Sequence, residues 1–167
     1  MTPVKMTLTP DYSPGTTDIE PIKGFSPEYK TQTMAYVKNW LHCVWGTKSR
    51  MPYLSGDIKK KVIEHIKTNA KEKGIYIESI NGYHEHLHCL LSLSPDMTLS
   101  KVIQLLKGES SYWINRNKLV KFKFEWAVEY YAVSVSASHV PDVRRYIIRQ
   151  EEHHQRKSWQ EEYDEFI

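Results

Sequence analysis

Three histidines alternate in the stretch Tyr83-His84-Glu85-His86-Leu87-His88-Cys89-Leu90-Leu91. Side chains two residues apart on a strand project to the same side, and neutral imidazole nitrogens at that spacing can both reach one divalent cation. Sixty residues further on, Tyr146 and Gln150 are one helical turn apart, in a stripe with Val143, Ile147 and His154. A phenol is a nucleophile once its target is made electrophilic, and a glutamine within an apolar stripe needs a polar partner. Neither pattern is specific alone. A His-x-His pair is more often a strand with a solvated polar face, and a lone tyrosine on an apolar stripe ordinarily packs.

The elements that would position these groups follow from periodicity. The histidine stretch reads as a strand with Leu87, Cys89, Leu91 and Leu93 toward a core and His84, His86 and His88 on the other face. Asn81-Gly82 ahead of it predicts a type I′ turn to a partner strand over 74–80. Trp40 to Thr47 is rich in aromatic and β-branched residues and predicts a strand, followed by a basic loop through Lys48 and Arg50. Asp57 to Lys73 has helical spacing with Gly74 as a stop, and Lys59-Lys60-Lys61 are expected on its solvated face. Leu99 to Ile114 predicts a second helix, with Lys101, Lys107 and Arg116 outside its stripe and Trp113 in the core.

A lysine-bearing linker (Lys118, Lys121, Lys123) leads to an alternating strand over 130–136. The resulting order, βαββαβ, is an α+β, ferredoxin-like split βαβ antiparallel sheet with the first and third strands central and both helices on one face. His86 and His88 then point to the uncovered face. The Tyr146 helix, with Ser138 as its expected cap and Pro141 and Asp142 in its first turn, is the element available to cover it. Ser158-Trp159-Gln160-Glu161 suggests a short tail helix.

The 167 residues suit one domain over 34–167, preceded by an extended or disordered arm over 1–33 that holds five of the eight prolines. No apolar run approaches a membrane span and the first residues lack a signal-peptide core, so a cytoplasmic protein is expected. Cys43 and Cys89 fall in apolar segments with no C-x-x-C pattern and are expected as buried thiols. The net charge of +3 includes an acidic tail (Glu161, Glu162, Asp164, Glu165), so the body ahead of it is more basic and permits a polyanionic partner.

Over roughly residues 38–166 the chain resembles the insertion-sequence-200-like transposases, the one-tyrosine HUH family that includes the REP-associated tyrosine transposases. Three ordered blocks carry the resemblance: His42-Cys43-Val44-Trp45-Gly46-Thr47-Lys48-Ser49-Arg50, Glu85-His86-Leu87-His88-Cys89-Leu90-Leu91, and Val143 through Tyr146 and Gln150 to His154. The resemblance implies an HUH fold with an added C-terminal helix bearing the nucleophile Tyr146. His86, His88 and Gln150 would be ligands to Mg²⁺ or Mn²⁺, and His84 would be an extra. The implied activity is cleavage and strand transfer of single-stranded DNA at hairpin-containing ends through a 5′-phosphotyrosine. Candidate DNA contacts are Lys48, Arg50, Lys107 and Arg149.

A homodimer is expected, with each subunit lending its Tyr146 helix to the other. Two departures stand out: Glu85 where the family usually has Asp or Asn, and Cys89 where it has an aliphatic. The alternatives are a host nickase of repeat hairpins and a non-catalytic ferredoxin-like nucleic-acid-binding module.

Overall fold

In a computed structural model the described residues, 37–154, run β1 (Trp40–Gly46), α1 (Gly56–Glu72), β2 (Tyr76–Gly82), β3 (His86–Ser92), α2 (Leu99–Arg116), β4 (Tyr131–Val135), α3 (Val140–Ile148) and α4 (Gln150–His154), with a 3₁₀ turn at Lys48–Arg50 after β1. The expected arm over 1–33 and the tail helix at 158–161 lie outside the described residues. The strands form one sheet in the order β2-β3-β1-β4, every neighbour antiparallel. This is the α+β, ferredoxin-like arrangement that the sequence predicts, with β1 and β3 central. Among the described residues no helix is long and apolar enough to cross a membrane.

The ladder sorts the side chains onto two faces. Cys43 is opposite Cys89, and Trp45 opposite Leu87; these residues, with Ile80 and Leu91, pack against Val62, Ile63 and Ile66 of α1 and Val102, Ile103, Leu106 and Ile114 of α2. That is the main core. On the reverse face Val44 is opposite His88, His42 opposite Leu90 and Asn81 opposite His88. There α3 lies over β2 and β3, and Val44, Leu90 and Ile147 are buried outside the main core cluster.

Three local expectations are corrected. Asn81 and Gly82 do not form the turn: they pair in the ladder with His88 and Leu87, and Tyr83, His84 and Glu85 make the connection, closed by the Tyr83 amide donating to the His86 carbonyl at 3.1 Å. Gly82 is required for a different reason than positive φ, which it lacks. A Cβ there would lie 2.0 Å from the His86 carbonyl oxygen and 2.8 Å from Leu87 Cα, so only glycine lets β3 begin this close to β2.

Lys59 is not on a solvated face; it is buried, and its ammonium donates to the Gly82 carbonyl at 3.0 Å and to Glu151. Lys60 and Lys61 are exposed as expected. Ser138 does not cap α3; His139 occupies that position, its Nδ1 2.6 Å from Ser136 Oγ, while Pro141 and Asp142 stand in the first turn as predicted.

Candidate active site

β3 starts the site. His86 and His88 share the face opposite the main core, and both are fully buried rather than displayed to solvent. Each is oriented by a neighbour. Glu85 Oε1 is 3.3 Å from His86 Nδ1, and His42 Nε2 is 3.0 Å from His88 Nδ1, with the two rings stacked at 5.2 Å. His42 reaches His88 because it stands on β1 opposite Leu90, two residues along β3 from His88, and diagonal neighbours on one sheet face are within reach of long side chains.

α3 and α4 supply the lid. The Tyr146 ring meets His88 edge-on at 5.6 Å and His42 at 6.0 Å. Tyr146 thus lies beside His88 and His42 of its own chain. α3 ends at Ile148, whose carbonyl accepts from Asn81 Nδ2 at 2.9 Å. After Arg149 the helix resumes as α4, placing Gln150 in a fully buried position beside His86. One turn later His154 brings its Nε2 to 3.0 Å from His86 Nε2. The ligand atoms of His86, His88 and His154 all lie within 4.8 Å of one another, a group that could hold a metal ion.

Burial governs the electrostatics. It pushes His42 down from 6.5 to about 4 and lowers His86 as well, an effect that the neighbouring Glu85 carboxylate and the Gln150 amide partly offset. For Glu85, burial alone would raise the carboxyl, but the His86 hydrogen bond and the surrounding imidazoles outweigh it and hold it below the ordinary value. Burial therefore favours the neutral form of His42 and His86, and neutral imidazole is the form in which histidine ligates a cation.

Of the predicted site residues, the structure gathers Tyr146, His86, His88 and Gln150. His84 sits apart in the β2–β3 turn with its ring against Tyr83. Lys107 is half-buried, its ammonium donating to the carbonyls of Ala127 and Val128 at 2.6 and 2.9 Å, and burial lowers it. Lys48 pairs with Glu125 at 2.8 Å, and Arg50 and Arg149 are exposed. Sequence reasoning missed His42 and, as a site residue, His154. His154 had a signal, since it shares the helical stripe of Tyr146 and Gln150. His42 had none until the β1–β3 register placed it.

The fold of this chain is shared with solved transposase structures. A candidate transposase of Deinococcus radiodurans R1 superposes with a TM-score of 0.56 at 21% identity, over 69% of this chain and 93% of that one. A REP-associated tyrosine transposase bound to a REP hairpin superposes with a TM-score of 0.53 at 15% identity, over 75% of this chain and 72% of that one. No curated protein is similar enough in sequence to match. Residues 35–150 match the family described as transposase, IS200 like, and the chain belongs to that family.

Proposed function

We propose that the protein cleaves and rejoins single-stranded DNA at hairpin-containing ends, with Tyr146 as nucleophile and His86, His88 and Gln150 as ligands to a divalent ion. The observation that carries this reading is the Tyr146 ring 5.6 Å from His88, over two imidazoles buried on the sheet. A phenol with an ordinary pKa near 10 attacks phosphorus poorly at neutral pH. A bound Mg²⁺ or Mn²⁺ would supply the electrophilic activation and stabilise the leaving oxygen.

The chain's own residues do the rest. His42 and Glu85 orient the imidazoles, and α3 fixes the phenol over them. The Tyr146 oxygen bonds to phosphorus as it loses its proton, the bond from phosphorus to the 3′-oxygen breaks, and that oxygen leaves with a proton as a 3′-hydroxyl. The phosphodiester energy is kept in the 5′-phosphotyrosine, so a 3′-hydroxyl of another strand can reverse the step without ATP. The hairpin in the REP-associated neighbour supports a hairpin substrate, and exposed Arg50 and Arg149 with Lys48 are the proposed backbone contacts. A cytoplasmic homodimer, each subunit using its own tyrosine, is the proposed assembly.

The test is a labelled hairpin strand taken from the gene's own flanks, incubated with Mg²⁺ or Mn²⁺. Wild type should form a denaturant-stable adduct, and Tyr146→Phe should still bind the hairpin but form none. An adduct that persists in Tyr146→Phe moves the nucleophile elsewhere. Hairpin binding with no adduct from wild type would favour the non-catalytic module.

A further inference from the structure

We propose that His154 is a third imidazole ligand, so that the site is a three-histidine centre that selects a first-row transition ion such as Mn²⁺ over Mg²⁺. The inference rests on the reading that His86 and His88 hold a metal, and it goes beyond that reading in adding a ligand from α4.

Three observations converge on His154. Its Nε2 is 3.0 Å from His86 Nε2, and two nitrogens bound to one ion at about 2.1 Å, with angles of about 90–109°, stand ~3.0–3.4 Å apart. The His86 ring is already turned for ligation, because Glu85 takes its Nδ1 side and leaves Nε2 facing His154. The His154 ring is itself held, stacked on Tyr83 at 4.9 Å with planes 25° apart. Gln150 and His154 are one turn apart, so a helix that presents the first to the site presents the second beside it.

The consequence is chemical selectivity. Mg²⁺ prefers oxygen ligands and sheds water reluctantly, whereas imidazoles suit the first-row transition ions, and each added imidazole widens the gap. Gln150 is the one oxygen donor among these four residues, so Mg²⁺ would lean on it and on water or phosphate, and His154 would matter little to it.

The experiment uses the full chain stripped of metal and free of DNA, titrated with Mn²⁺ (free-ion electron paramagnetic resonance) and Mg²⁺ (competition). His154→Ala and His154→Phe, the second retaining an aromatic ring against Tyr83, should both weaken Mn²⁺ binding roughly tenfold or more while changing Mg²⁺ binding less than about twofold. The double variant His86→Ala, His88→Ala should abolish Mn²⁺ binding.

If Mn²⁺ affinity is unchanged in both His154 variants but lost in the double variant, the inference is wrong and the two-histidine reading stands. If the double variant binds Mn²⁺ as tightly as wild type, the metal reading itself fails.

Discussion

Burial decides what single substitutions will do at this site. His86 and His88 are buried on the face that α3 covers, so their removal is not free. His88→Ala should cost about 1–3 kcal/mol of stability in addition to metal binding, because it strips His42 of its 3.0 Å partner inside the protein. Urea denaturation measures this, and a cost near zero would mean that α3 does not seal the face.

The same reasoning applies on the opposite face, where burial raises the Cys43 thiol from 9.0 to about 12. A raised value means that the fold favours the protonated form, so the contribution is complete below pH 9 and is lost as the pH climbs from 9 towards 12, by about 1.4 kcal/mol per unit. Stability should therefore fall above pH 9 less steeply in Cys43→Val than in wild type. Thiol reagents at pH 8 should label Cys43 only as fast as the protein unfolds.

At the level of elements, the joint between α3 and α4 is set by two contacts that periodicity does not reveal. Asn81 holds the end of α3, and Lys59 spans from the Gly82 carbonyl on β2 to Glu151 on α4. Lys59→Met should cost roughly 1–3 kcal/mol by orphaning a buried carbonyl and should slow adduct formation, while Lys60→Met leaves both unchanged. Gly82→Ala should be worse than an ordinary core overpacking of about 1–3 kcal/mol, because the clashing atoms are backbone; thermal melting of the two variants ranks them.

The strands and helices themselves were legible because their spacing carries them. The β2–β3 turn was not: Asn-Gly satisfies a type I′ turn locally, but here the residues continue the ladder, and the glycine answers a tertiary clash instead. Lys59 was misread for a similar reason, since it reaches inward from a helix face on which its sequence neighbours Lys60 and Lys61 are solvated.

For the whole molecule, the sheet order could be anticipated from the order of its elements, and with it the placement of His86 and His88 opposite the helices. His42 could not be, because its role depends on a diagonal contact between strands 46 residues apart in sequence. The proposed use of Tyr146 within its own chain likewise depends on where α3 settles. A mixture of Tyr146→Phe subunits with His86→Ala, His88→Ala subunits should regain no adduct formation even after proven subunit exchange. Recovery in that mixture would show that tyrosines cross between chains.

The two faces of the sheet also differ in how firmly they are covered. α1 and α2 share the main hydrophobic cluster with the strands, whereas α3 contributes Ile147 to a smaller apolar layer and is fastened by the Asn81 contact at its end. A segment held in this way opens with less free energy than global unfolding. Backbone amides of 143–150 should accordingly exchange with solvent deuterium well before those of β1 and β3. A divalent ion that joins sheet histidines to α4 would slow that exchange without altering the central strands, so the protein would carry its own reporter of whether the nucleophile is docked.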